Sequence, residues 1–292
     1  MTDAPRTYAT PAAFRQALET RLRRHAEEQG EELMRVRRQV AFDRLLARIF
    51  ADQGGPWALK GGYALQLRYE EARTTRDVDL SLRTPANLPP GATIARQLQV
   101  ELQRLGNLDA GDFFDFVVES ATLDIDAAPY GGARFPVDAR LAGRTFVKFH
   151  VDIGIGDPLL EPTDLLTGRD WLGFAGIPAP VFTCISKEQQ FAEKLHAYTM
   201  PDRPRPNSRV KDLVDMVLMI RRFDLYRDRL VDAIDATFSR RDSHSLPAET
   251  LPPPPENWAQ PFVALAEETG MEMNANEAFA VLEQYLRSIR NK

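Results

Sequence analysis

The chain has 292 residues, is 43% hydrophobic and 27% charged, and carries a formal net charge of −5. This balance supports a sizeable core and excludes disorder as the default, and the length allows one large domain or two ordinary ones. A single cysteine, Cys184, excludes an internal disulfide framework, and no apolar run approaches the ~20 residues needed to span a bilayer.

The first residues, Met1-Thr2-Asp3-Ala4-Pro5, reach no apolar h-region, so the expectation is a soluble, cytoplasmic protein with no membrane partner. The four histidines, His25, His150, His196 and His244, lack metal-ligand spacing, which argues against zinc.

Residues 11–28 and 31–53 read as amphipathic helices. In the second, Leu33, Val36, Val40, Leu45, Ile49 and Phe50 recur at near-helical spacing. Its basic side, with Arg35, Arg37, Arg38, Arg44 and Arg48, reads as a solvated face laced with Glu27, Glu31 and Glu32, or as a phosphate-contacting surface. A short strand, Trp57 to Lys60, precedes a glycine turn and a helix over about 62–70. The stretch from Asp77 to Leu82 is a second strand. A helix follows over about 92–106, then a β-rich run from Phe113 to Ser120. Residues 132–140 and 144–154 form a hairpin around Leu141-Ala142-Gly143.

Residues 156–180 are punctuated by Pro and Gly and read as a connection. The apolar run around Cys184 makes that thiol a buried packing group. Ser186 with Gln189 makes a capping box for a helix over about 186–199. Further helices occupy about 209–222, 225–240, 257–269 and 275–290. Leu251-Pro252-Pro253-Pro254-Pro255 is an extended spacer between helices. The expected division is 1–180, N-terminal helices plus a sheet-bearing core, and 181–292, a helical C-terminal domain.

Strand side chains alternate faces, so Asp77 and Asp79 point the same way. Two carboxylates side by side repel and call for a cation between them, and Mg²⁺ takes hard oxygen ligands shared with substrate phosphates. The Gly61-Gly62 turn can bring backbone N–H groups close to a phosphate. Asp152, on the later β-patterned run, is the third acid of a two-metal site, although Asp157 and Asp138 compete for that part. Asp77 and Asp79 would bridge the metals, and Asp152 would favour deprotonation of an acceptor hydroxyl. Lys187, Gln190 and Lys194 share a helix face, from which Lys194 could hold a triphosphate, and Asp212 and Asp215 share one with Arg209.

Gly61-Gly62-Tyr63-Ala64-Leu65, Arg73-Thr74-Thr75-Arg76-Asp77-Val78-Asp79, Glu193-Lys194-Leu195 and Arg209-Val210-Lys211-Asp212-Leu213-Val214-Asp215 stand in this order along the chain. Together they resemble the four motifs of the AbiEii/AbiGii toxin family of nucleotidyltransferases, with a MenT-like organisation, over roughly residues 30–222. The resemblance implies an α+β fold: a DNA-polymerase-β-like core with a mixed sheet, N-terminal helices and a helical C-terminal region. It implies a nucleoside triphosphate co-substrate, Mg²⁺, a tRNA or other RNA acceptor extended at its 3′ end, and a cognate antitoxin. Carried over, Gly61 and Gly62 belong to the first motif and Asp77 and Asp79 bind metal. Lys194 holds phosphates, and Asp212 supports the nucleotide site. Lys60, Thr75 and Arg76 are nucleotide-site neighbours. Many members have Ser or Thr after the glycine pair, where this chain has Tyr63.

Arg203, Arg205, Arg209 and Lys211, then Arg221, Arg222, Arg227, Arg229, Arg240 and Arg241, form the basic load that would meet an RNA backbone. A phosphoryl group on Thr75 would add about −2 charge beside the metal carboxylates and silence the site. Transfer to a small molecule or a protein, or a non-catalytic nucleotide-binding module, are the competing readings.

Overall fold

The computed structural model describes residues 7–69, 72–89, 91, 93–124, 128–201, 209–248 and 250–290. Contacts divide the chain into two compact units. One is Met1–Leu67, Thr75–Gly156 and Leu165–Cys184; the other is Arg68–Thr74, Asp157–Asp164 and Ile185–Lys292.

The first unit opens with α1 (Pro11–Gln29) and α2 (Leu33–Ile49). The Thr10 hydroxyl accepts the Ala13 N–H at 3.3 Å, Pro11 supplies a φ suited to the first turn, and Gly30, at φ 66°, ends the helix. The strands β1 (Trp57–Lys60), β2 (Asp77–Leu82), β3 (Phe114–Val118), β4 (Leu123–Asp124), β5 (Gly132–Leu141), β6 (Arg144–Ile155), β7 (Asp164–Thr167) and β8 (Val181–Cys184) form one mixed sheet. Its order is β3-β5-β6-β2-β1-β8-β7, with β4 paired to β5. The helices α3 (Gly61–Arg68) and α4 (Ile94–Gly106) connect strands. Val78, Leu80, Val151, Ile153 and Phe135 from the sheet pack with Val40, Phe42 and Leu45 of α2 in a buried core. The apolar period of two on the strands and near 3.6 on α2 meet in that core.

Central pairing fixes the geometry that matters. β2 runs parallel to β6, with Asp77 opposite His150 and Asp79 opposite Asp152. β1 lies antiparallel to β2, with Lys60 opposite Asp79. β5 and β6 form the expected hairpin, with an irregularity at Ala139/Arg140. Leu141 faces Arg144 and Arg140 faces Thr145, but Ala139 faces Val147 and Arg134 faces Asp152. The extra residue on β6 makes this a bulge.

Three expectations need correcting. The stretch 156–180 is more than a connection, because β7 lies within it. The α2 arginines form neither a solvated face nor a phosphate surface throughout. Arg44 and Arg48 are buried and clamp Asp112: Arg48 Nη2 lies 2.6 Å from Asp112 Oδ1, and Arg44 Nε lies 2.5 Å from Oδ2. Opposing charges and the Phe114 N–H, at 3.0 Å, make that burial tolerable. Of the outer arginines, Arg37 pairs with Glu19, Arg35 with Glu31 and Arg38 with Glu32. The capping box at Ser186 is half formed. The Ser186 hydroxyl accepts the Gln189 N–H at 3.1 Å, but the Gln189 side chain turns to the Pro158 carbonyl and the Leu160 N–H.

The second unit is helical: α5 (Lys187–Thr199), α6 (Val210–Arg222), α7 (Arg227–Arg241), α8 (Ala259–Glu268) and α9 (Ala275–Arg290). Leu195, Leu213, Val217, Leu230 and Leu282 are fully buried. In the spacer, Leu251 is buried and the Pro252 carbonyl accepts the Tyr198 hydroxyl at 2.8 Å. No described helix is long and apolar enough to cross a membrane. Cys184 is fully buried, as its apolar run required.

Candidate active site

The acid pair sits where β1 turns into α3. Gly61 has φ 68°, a conformation that costs an L side chain about 1–2 kcal/mol. A Cβ there would also collide with the carboxylate of Asp79. The glycine is therefore required twice, by its backbone and by the acid beside it. Gly62 is buried in the first turn of α3. Lys60, across the ladder from Asp79, makes polar interactions of its own. Thr75 donates its hydroxyl to the Asp77 carbonyl at 3.3 Å, and Arg76 is exposed.

Asp152 is next door. Strand register puts it beside Asp79, and one guanidinium touches both Asp152 and Asp77. Arg134, from β5, forks onto Asp152 with Nε–Oδ1 and Nη2–Oδ2 both at 2.7 Å, and Nη2 reaches Asp77 Oδ2 at 3.4 Å. The hydrogen bond to Asp152 is the main cause that raises the Arg134 pKa, with further help from the charges of Asp152, Asp77 and Asp79 against burial. His150 Nδ1 lies 3.4 Å from Asp77 Oδ1. The sequence reading missed Arg134.

Three carboxylates offer the hard oxygen donors a small dication takes, so the donor chemistry fits a divalent metal. Among the described residues, no three His, Cys, Asp or Glu side chains have closed around a common point. Arg134 pairs closely with Asp152 and more loosely with Asp77.

Tyr63, fully buried, does not present its hydroxyl to solvent. It donates to Asp43 Oδ1 at 2.6 Å. Burial pushes the Asp43 carboxyl up to about 7, against the Tyr63 hydrogen bond and the Arg169 N–H at 3.0 Å. An acid in the apolar run of α2 was the available signal for this pair.

The second unit holds its own cluster. Lys194 is buried, not solvated, with Nζ 2.6 Å from Asp215 Oδ2 and 3.6 Å from Asp212 Oδ1. Arg73 forks onto Asp215 with both bonds at 2.9 Å. Burial opposes the charge on Lys194, but Asp215 and Asp212 outweigh it and its pKa is raised. Burial likewise opposes the Asp215 charge, and Lys194 and Arg73 outweigh it, leaving that pKa lowered. Sequence spacing singled out Lys194 and Asp212 but gave Asp215 and Arg73 no role. Lys187 and Gln190 have other partners: Lys187 lies over the Tyr226 ring and Gln190 accepts from Arg68.

Of the rival acids, Asp138 is bound by Arg140 and Thr145, and Asp157 by Arg241. Arg241 is thereby committed to Asp157 and Glu193. Arg203 and Arg205 lie outside the described residues.

A family model described as "Nucleotidyl transferase AbiEii toxin, Type IV TA system" matches residues 44–283. The chain belongs to the AbiEii family. It is therefore a nucleotidyltransferase toxin, and membership implies a nucleoside triphosphate substrate and an antitoxin partner. The fold is similar to that of MenT4, a nucleotidyltransferase toxin of Mycobacterium tuberculosis H37Rv: TM-score 0.55, 18% identity, covering 94% of this chain and 97% of that one. A Helicobacter pylori protein, JHP933, gives a TM-score of 0.42 at 14% identity, over 88% of this chain and 97% of its own. No curated protein matches. The expected α+β nucleotidyltransferase fold with a mixed sheet is thus the one found.

Proposed function

We propose that this AbiEii enzyme transfers a nucleoside monophosphate from a nucleoside triphosphate to the 3′ end of an RNA, tRNA first among the acceptors, and so blocks translation. The observation that carries the reading is the side-by-side register of Asp79 and Asp152, with Asp77 on the same face and Gly61 at the turn.

Asp77, Asp79 and Asp152 would hold the dication, Mg²⁺ by preference. When bound, it neutralises charge on the phosphates and lowers the pKa of the attacking hydroxyl. The rest falls to the chain. The acceptor 3′-oxygen forms a bond to the α-phosphorus as the bond to the bridging oxygen breaks. Pyrophosphate leaves, and the hydroxyl proton passes to a base. Lys60, Gly61, Gly62, Thr75 and Arg76 are assigned to the triphosphate. Lys194 is assigned to phosphate binding by the motif it matches, its charge being shared with Asp215 and Asp212. Asp212 orients Lys194, from 3.6 Å away. The exposed Arg229, with Arg209, Lys211, Arg221 and Arg222, is assigned to an RNA backbone, which makes binding strongly salt-dependent. The workplace is the cytoplasm, where acceptor and antitoxin meet it.

The test incubates the purified chain with each labelled triphosphate, Mg²⁺ and total tRNA, alongside Asp77→Asn and Lys194→Ala. Label is expected in the RNA with the parent chain and lost by at least 10²-fold in both variants. Incorporation that persists in Asp77→Asn overturns the assignment. Label in a small molecule or a protein, with none in RNA, overturns the acceptor.

A further inference from the structure

Arg134 forks onto a proposed metal ligand. Both oxygens of Asp152 accept from it at 2.7 Å, and the same nitrogen that holds Oδ2 reaches Asp77 at 3.4 Å. The arrangement is built in. Arg134 and Asp152 are cross-strand partners of β5 and β6, and Asp152 is in turn registered with Asp79 on β2. A bidentate guanidinium matches the carboxylate plane and satisfies it as a cation would.

We infer that Arg134 is a resident counter-ion that competes with the divalent cation for Asp152 and Asp77. The inference rests on the metal reading above. A dication taken by Asp152 would stand within a few ångströms of a fixed positive charge, and like charges at that range repel strongly. The guanidinium must therefore leave as the dication arrives. It has room to do so, since its side chain is one-third exposed. His150, at 3.4 Å from Asp77 with its side chain 45% exposed, Arg38, whose charge acts on Asp77, and Lys60, opposite Asp79 in the ladder, are further basic groups near the acids. Arg134 holds the acids in register while no metal is present, and its release ties metal uptake to a side-chain movement. It is a positioning residue, acting through Asp152.

The counter-ion makes a prediction opposite to that of an ordinary supporting residue: removing it should tighten metal binding. Mn²⁺ titration of the full chain, read from the electron-paramagnetic signal of the free ion, compares the parent with Arg134→Gln, Arg134→Lys and Arg134→Gln/Asp77→Asn. Arg134→Gln is expected to bind Mn²⁺ about 10-fold more tightly, Arg134→Lys close to the parent, and the double variant weakly or not at all. A second measurement needs no variant to fold well. In the parent, the Arg134 Nε–H resonance should move on adding Mg²⁺ without nucleotide. If the parent binds Mn²⁺ and Arg134→Gln binds it equally or more weakly, the counter-ion inference fails and the metal site stands. An Nε–H resonance unmoved at saturating Mg²⁺ has the same meaning. If neither protein binds Mn²⁺, the metal reading fails, and this inference with it.

Discussion

Asp215→Ala removes the anion at the centre of the second unit's charge cluster. Asp215 is fully buried, and its partners Arg73 and Lys194 are 7% and 8% exposed. Arg73 and Lys194 meet Asp215, and Lys194 and the more exposed Arg209 meet Asp212. The substitution leaves two buried cations with the single charge of Asp212, which lies 3.6 Å from Lys194 and is shared with Arg209. Breaking a buried pair in this way costs about 3–5 kcal/mol. At about 4 °C per kcal/mol for a unit of this size, the melting point should fall by about 12–20 °C. Arg73→Met is the informative comparison. It removes a cation but leaves the 2.6 Å Lys194–Asp215 pair, and should cost less than Asp215→Ala.

The pH dependence has a definite sign. The Asp215 pKa is depressed from 3.8, so its contribution is present above pH 4 and lost as pH falls through the folded value. The Lys194 pKa is raised from 10.5, so its contribution holds below about pH 10 and is lost as pH rises through the folded value. Calorimetry of the three proteins from pH 5 to 9 should therefore show a constant gap. A fall of under 2 °C for Asp215→Ala, or a larger fall for Arg73→Met, refutes the reasoning.

Gly61→Ala should lower nucleotidyl transfer by on the order of 10²-fold, because displacing the Asp79 carboxylate misplaces a reacting geometry. A parent-like rate in the labelled-triphosphate assay would contradict it. Asp43 has its carboxyl raised from 3.8 to about 7, so it favours the folded state fully below pH 4, and that stability is lost as pH rises to 7. The loss amounts to about 4 kcal/mol at most; in thermal melts from pH 5 to 8, Asp43→Asn should flatten this slope. Asp112→Asn strips the charge from a carboxylate holding two buried guanidinium groups and should cost about 3–5 kcal/mol in urea unfolding. A change below 1 kcal/mol would show that Arg44 and Arg48 find other partners.

The acids of the first unit were legible because strand parity is a local rule. Asp77 and Asp79 share a face whatever the rest of the chain does, and the alternation of 144–154 put Asp152 on a defined face of β6. Asp152's neighbour was not legible from either strand alone, since it depends on which residue of β5 stands opposite. Arg44 and Arg48 looked like surface arginines because helical spacing shows the face they occupy but not that Asp112, more than sixty residues away, comes to meet them. Asp215 was visible only as one rung of an i, i+3 ladder, although Arg73 stood in a recognised motif. Most helices were found to within about two residues of their ends, because the Ser186 cap and the long apolar stripes act within a turn or two, but α2 ends at Ile49, short of the expected 53. Residues 156–180 hid β7, since four residues with alternating exposure leave too short a pattern to read.

The irregularity at Ala139/Arg140 has a consequence for comparing relatives. Counting outward evenly from the Leu141–Arg144 tip would set position 134 against Val151, on the core side, and leave Asp152 facing a different residue. The odd residue acts as a phase shifter, delivering the guanidinium to the acids from an irregularity that begins at Ala139, five positions along β5 from Arg134. Two toxins differing by one residue at this tip could align cleanly and yet keep their charge compensation on opposite sides of the sheet. The equivalent of Arg134 in such a relative must be sought by strand pairing rather than by column.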